Sequence, residues 1–339
     1  MRGTSLQPLA VYVTSEKAVK LRTTAFSFWL LAFSQQQKAK SQQLTAALLL
    51  SCRVRRLIVN ADDFGLTQGV NRAIVEAHTR GIVTSTTLMA SSSAFDDAVR
   101  LAQSNPQLTV GCHVVLVDGA PVLNPAQVPT LINGPKGELA QSLGNFAARA
   151  VLGRIDPDQV EAEVTAQIRK LQTAGIVVSH LDTHKHTHLF PQIQRPLLRA
   201  ARACGVPGVR NPFGRVAFRL IADRPNLWKR YGQLRLLNTL AGKFRRSVAE
   251  AGMVTTDGSL GVVATGALDE RLFRLVLDNL PEGAWEFVCH PGYNDPDLDR
   301  VRTRLRQSRE LELRLLTDAA TRELLDRNQV ELIAFRNLA

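Results

Sequence analysis

At 339 residues, 45% of them apolar and 21% charged, the chain is long enough for one α/β barrel of about 250 residues with extensions, and its composition excludes disordered and fibrous classes. The net charge of +12 is uneven: residues 1–53 carry +6, residues 214–250 carry +7, and the rest is close to neutral, which argues for local contact with an anionic surface and against a nucleic-acid partner. Cys52, Cys112, Cys204 and Cys289 form no CxxC pair, so neither a thiolate zinc site nor a disulfide framework is suggested and a reducing compartment is expected.

Residues 1–53 contain a single acid, Glu16, and two short apolar runs. The first run, Ala25–Phe33, follows Lys17, Lys20 and Arg22 in the outline of a signal peptide, with no small-residue cleavage site after it. Neither run reaches the roughly 20 apolar residues of a bilayer span. The segment reads as an N-terminal extension, disordered or arising from a start codon set too far upstream.

From Arg55 onward, β-rich runs alternate with helical spacing. Leu57–Asn60 predicts a strand, and Val70, Ile74, Val75 and Ala77 predict a helix over Gly69–Arg80. Between them lies Asn60-Ala61-Asp62-Asp63-Phe64-Gly65, adjacent carboxylates at a strand end. One can hold a metal while the other acts as base towards water. On an extended backbone they point to opposite sides unless the strand ends between them. A strand at Thr84–Met89, a helix at Ala94–Ser104 and a strand at Thr109–Val115 follow, the last carrying His113 near its end. A helix over Pro157–Ala174 then leads into a strand at Ile176–Asp182. There His180, Asp182, His184, His186 and His188 occupy every second position and share one face if the chain stays extended. At a rise of about 3.3 Å per residue, the outer pair is too far apart for one ion, so at most two neighbours bind a metal. The others are left for orienting ligands, touching substrate or bending the chain.

A helix at Pro191–Cys204 precedes residues 213–254, where Trp228, Tyr231, Leu234, Leu236, Leu237, Leu240 and Phe244 alternate with Arg and Lys in an interfacial pattern. This predicts a basic amphipathic insert with peripheral membrane contact. A helix at Leu268–Leu277 and a strand at Trp285–Cys289 deliver His290 into the turn Pro291-Gly292-Tyr293, placing a group that can transfer protons at another strand end. One charged helix from Leu298 to Asn328 and a strand at Glu331–Phe335 complete the chain. Strands alternating with helices predict a parallel sheet or an irregular (β/α) TIM-like barrel over residues 54–339, in which aspartates and histidines from separate strand ends converge. A nitrogen and oxygen donor set suits zinc first, with magnesium, manganese and iron also compatible.

The ordered set NADDFGLTQGVNRAI, GIVTSTTLM, GCHVVLVDGAPVL, SHLDTHKHTHLFPQI and CHPGYND resembles the YdjC-like carbohydrate deacetylase family, from about Arg55 to Ala339. The resemblance implies removal of acetyl groups from N-acetylated sugars, a divalent metal such as zinc or magnesium, and often a homodimer. It implies Asp63, His113 and His184 as metal ligands, Asp62 as general base and His290 as acid or oxyanion partner. Asp182, His186, His188 and Tyr293 are left as substrate contacts. Residues 1–53 have no counterpart in the family, and the long basic insert resembles the hopanoid-biosynthesis (HpnK-type) branch. That branch implies an N-acetylglucosaminyl hopanoid substrate and a cytoplasmic protein at the inner membrane. Deacetylation of soluble chitooligosaccharides is the alternative.

Overall fold

The computed structural model describes residues 35–38, 54–214, 218 and 221–338. The expected extension thus lies outside the described residues apart from a helical turn at 35–38, as do 215–217, 219 and 220 of the insert.

Eight strands make one parallel sheet: β1 (Arg55–Phe64), β2 (Ser85–Leu88), β3 (Thr109–Val114), β4 (His180–Thr183), β5 (Gly208–Val209), β6 (Gly258–Leu260), β7 (Gly283–Cys289) and β8 (Val330–Leu332). Seven run in the order β5-β4-β3-β2-β1-β7-β6. The eighth, β8, shares an edge of β1 with β2: it pairs with Arg55–Leu57, whereas β2 pairs with Asn60, Ala61 and Phe64. Leu57, Ile58, Val59 and Ala61 of β1 are fully buried, as a strand covered on both faces requires. The sheet curls until the segment after β5 meets β6, where Ser259 N–H donates to Phe213 C=O at 3.0 Å. The fold is therefore a curled, barrel-like parallel α/β sheet, as expected from the alternation of strands and helices.

The helices are α1 (Gln68–Thr79), α2 (Phe95–Ser104), α3 (Leu143–Val151), α4 (Pro157–Thr173), α5 (Pro191–Ala203), α6 (Pro225–Leu237), α7 (Ala241–Glu250), α8 (Glu270–Asp278), α9 (Pro296–Asp299), α10 (Gln307–Thr317) and α11 (Ala319–Arg327). Helix α1 starts where Thr67 Oγ1 accepts from Val70 N–H at 3.1 Å, and α4 starts at Pro157 behind the capping side chain of Asp156. The charged helix expected over Leu298–Asn328 is in fact α9, a loop, α10 and α11. Asp295 caps α9 just ahead of that span and Asp318 caps a fresh helix inside it, which charge periodicity alone does not show. The strand expected over Ile176–Asp182 begins only at His180, and two-residue β5 and three-residue β6 are too short to show a period.

Candidate active site

All the strand-end residues singled out in the sequence lie at the carboxyl ends of β1, β3, β4 and β7, the face on which barrel-type sheets build their sites. Asp62 and Asp63 reach the same cavity because the strand does bend between them. Asp63 takes a left-handed φ of 68° and the β1–β2 register slips between Ala61 and Phe64, so the alternation of faces is broken. The cavity measures about 870 Å³, and Asp62, Asp63, His113, His184, His186 and His290 all line it.

Donor atoms of Asp63, His113 and His184 lie within 4.8 Å of one another. Asp63 Oδ1 is 3.5 Å from His113 Nε2 and 3.5 Å from His184 Nδ1, and the two imidazole nitrogens are 3.3 Å apart. That oxygen is buried and receives no hydrogen bond from the described residues. A divalent cation fits this arrangement: a buried carboxylate oxygen with no donor, facing two imidazoles, is costly unless something positive sits between them. The other oxygen, Asp63 Oδ2, accepts from Arg309 Nη2 at 2.6 Å. Behind His113, its Nδ1 donates to Asp182 Oδ1 at 2.8 Å, so that the proton the ring gives up on becoming neutral is the one on Nε2, the nitrogen facing His184 and Asp63. Burial opposes a charge on this ring, but the Asp182, Asp62 and Asp63 carboxylates outweigh it and push the pKa up to about 9.

Asp62 has a different role imposed on it. Arg210, fully buried, donates from Nη1 to Asp62 Oδ2 at 2.8 Å and from Nη2 to Asp62 Oδ1 at 2.6 Å. It also reaches Glu286 Oε1 from Nε at 2.7 Å and contacts Asp182 Oδ2 through Nη1. Burial would raise the pKa of Asp62, yet Arg210 holds it well below the usual carboxylate range. Glu286 goes the other way: burial lifts it to about 7 against the pull of Arg210. Ser259 Oγ donates to Asn211 C=O at 2.6 Å and stands 3.2 Å from its other acceptor, Glu286 Oε2. His290 Nε2 lies 3.9 Å from Asp62 Oδ2, and burial pulls its pKa down to about 4. Its backbone N–H is anchored on Glu312 Oε2 at 2.6 Å, and its buried Nδ1 has no hydrogen-bond partner.

Of the alternating run, only His180 and Asp182 sit on β4. Lys185 and His186 then take left-handed φ values of 56° and 53° inside a 3₁₀ turn over His184–Leu189, so the shared face expected for the whole run does not exist. His184 and His186 turn to the cavity. His180 is a core residue, stacked on Phe335 at 3.6 Å and bonded to Asn60 Oδ1 at 3.2 Å. Three expected substrate contacts are placed elsewhere. His188 is fully buried, bonded to Thr183 Oγ1 at 2.6 Å and packed towards Phe244. Asp182 is fully buried between His113, Thr87 and Arg210. Tyr293 donates its hydroxyl to Glu76 outside the cavity. Sequence reasoning missed Arg210, Glu286, Arg309 and Glu312. The available signal was a charged residue inside an otherwise apolar strand, Glu286, and an acid and an arginine one helical turn apart, Arg309 and Glu312.

The family described as YdjC-like protein matches residues 56–327. A carbohydrate deacetylase of Brevibacillus brevis is 32% identical over 284 residues, covering 84% of this chain and 99% of that one. A carbohydrate deacetylase of Listeria monocytogenes is likewise 32% identical over 284 residues, covering 84% of this chain and 100% of that one. Among solved structures, a candidate cellobiose-phosphate cleavage protein of Enterococcus faecalis V583 superposes with a TM-score of 0.70 at 26% identity, covering 84% of this chain and 99% of that one.

Proposed function

We infer, from the premise that the chain belongs to the YdjC-like family and is a hydrolytic enzyme like the carbohydrate deacetylases it matches, that it removes the acetyl group from an N-acetylglucosaminyl unit with the help of a divalent metal. The observation that carries this reading is the donor-less Asp63 Oδ1 facing His113 Nε2 and His184 Nδ1 on the cavity wall. An ion held there, zinc or magnesium, would supply Lewis acidity towards the acetamide carbonyl and water. Asp62, kept ionised and aimed by Arg210, takes a proton from water as the water oxygen bonds to the acetamide carbon. His290 is neutral at rest, and its Nε2 lies 3.9 Å from Asp62. It relays that proton to the nitrogen as the C–N bond breaks, and acetate and a free amine leave.

The substrate proposed is a hopanoid glycolipid. Leu66, Met89, Leu143, Leu189, Val262 and Val301 give the cavity an apolar lining. Helix α6 buries only Leu227 and leaves Trp228 45% and Leu236 73% exposed beside Lys229 and Arg235. No helix among the described residues is long and apolar enough to cross a membrane, so the proposed contact is peripheral, at the cytoplasmic face. Soluble chitooligosaccharides are the second reading, since a carbohydrate deacetylase activity is compatible with either substrate. Purified protein given an N-acetylglucosaminyl hopanoid in vesicles, or chitobiose, and assayed for acetate separates them; release from chitobiose alone would overturn the lipid assignment. In either assay Asp63→Ala is expected to lose bound metal and at least about 10³-fold in rate, and Asp62→Asn to keep the metal but lose about 10²-fold or more.

A further inference from the structure

Helix α10 lies against the turn that follows β7, and its buried face carries Arg309 and Glu312 one helical turn apart. The approach is close: Gly292 N–H donates to Arg309 C=O at 3.3 Å, and a Cβ on Gly292 would stand 2.9 Å from Arg309 Cδ. Arg309 is committed to Asp63 Oδ2 and, from Nε, to Leu305 C=O at 3.1 Å. Glu312, 2% exposed, forms no ion pair with a lysine or arginine among the described residues. Its carboxylate is turned to His290. Oε2 accepts the His290 backbone N–H at 2.6 Å, and the same oxygen stands 4.0 Å from His290 Nδ1.

That ring nitrogen is buried and has no hydrogen-bond partner among the described residues. The opposite nitrogen, Nε2, faces Asp62 Oδ2 at 3.9 Å. The imidazole is therefore held between two carboxylates, Asp62 on the cavity wall and Glu312 behind it. A neutral imidazole carries one proton, and the hydrogen bond open to each nitrogen decides which of them holds it. His290 is neutral at rest, because burial pulls its pKa down to about 4 against the attraction of Asp62 and Asp63. A relay from Asp62 to the departing amine needs the lone pair on Nε2, so the resting proton has to sit on Nδ1. A buried Nδ1–H without an acceptor is disfavoured, and a tilt of the ring by about 1 Å brings Glu312 Oε2 within hydrogen-bond distance.

We propose that Glu312 is a positioning residue for deacetylation: it holds the His290 proton on Nδ1, keeps Nε2 open to the proton from Asp62, and offsets the charge on the ring once Nε2 is protonated. The inference rests on the deacetylase reading for the use made of Nε2, but the position of the ring proton is measured without substrate.

The measurement is nitrogen NMR of the full-length protein carrying isotope-labelled histidine, at pH 8, above the value of about 7 to which burial lifts Glu312. Signals lost in His290→Gln identify the ring. The Nδ1–H form is expected in the wild type; the Nε2–H form overturns the proposal with no further variant needed. In Glu312→Ala the ring is expected to shift towards Nε2–H, and kcat for acetate release to fall by about tenfold or more with KM and bound metal unchanged. Glu312→Gln keeps an oxygen for both N–H groups but loses the charge, so it is expected to restore the Nδ1–H form and only part of kcat. A role confined to folding predicts a lower melting temperature in Glu312→Ala with the ring proton and kcat unchanged, and that result overturns the proposal. If Glu312→Ala does not fold, wild-type kcat in Glu312→Gln overturns it instead. No acetate from any N-acetylated sugar overturns the deacetylase reading and leaves the NMR measurement to decide on Glu312.

Discussion

The adjacent carboxylates show how far a residue's environment sets its chemistry. Asp62 and Asp63 are neighbours on one strand, yet Arg210 grips one and Arg309 touches a single oxygen of the other, leaving its second oxygen without a donor among the described residues. The presence of both acids was legible in the sequence. Their partners were not, because Arg210 and Arg309 lie far along the chain and carry no spacing relation to them. His113 gives a pH test. With its pKa near 9 in the metal-free site, this ring must lose a proton to serve as a ligand. Metal affinity is therefore expected to rise with pH up to about 9, by as much as about tenfold per pH unit, with about one proton released per ion bound in a pH-stat; pH-independent affinity between 6 and 8 would contradict this assignment. Glu286 and Glu312 give a second test. Burial raises both to about 7 from an ordinary 4.5, so the folded chain binds more protons than the unfolded one across that interval. Their stabilising contribution is complete below about pH 4.5 and is lost as pH rises through 7, at up to about 1.4 kcal/mol per pH unit for each group. Glu286→Gln should flatten that slope in urea unfolding measured from pH 5 to 8.

At the scale of elements, strand ends were readable and turns were not. The Gly-Cys-His of β3 signalled a histidine at a strand end, and the structure adds why glycine precedes it. A Cβ on Gly111 would lie 2.5 Å from the His180 ring and 2.7 Å from its carbonyl, so β3 and β4 approach closely only because Gly111 has none. Gly111→Ala is expected to destabilise the fold by about 1–3 kcal/mol and to weaken metal binding, since His113 and His184 flank that contact; an unchanged denaturation midpoint would refute this. The alternating histidines misled for a related reason. Period-two reasoning assumes a strand, and nothing in Lys185-His186 announces two successive left-handed residues. The loop between α9 and α10 was read as helix because arginine and leucine suit one. Instead residues 301–306 all line the cavity.

For the molecule as a whole, the parallel run of the strands could be inferred from alternation, because parallel strands need crossovers and the crossovers were visible as helices. What escaped was the sharing of one edge of β1 by β2 and β8, and the short β5 and β6 that bring the ends of the sheet together. Packing and hydrogen bonds set these features rather than local periodicity. Binding of an ion only to the folded state should raise stability by about 4 kcal/mol at a thousand times its Kd, so chelation is expected to lower the melting temperature measurably; identical melts with and without chelator would count against a resident metal. The slip in β1 at Asp63 carries one further consequence. Its three candidate ligands stand on β1, at the end of β3 and just beyond β4, and β2 lies between β1 and β3. No fragment of the chain shorter than that whole run can assemble the donor set. Capture of an ion at this candidate site would then be a late event in the life of each newly made molecule, following the zipping of the central strands into register.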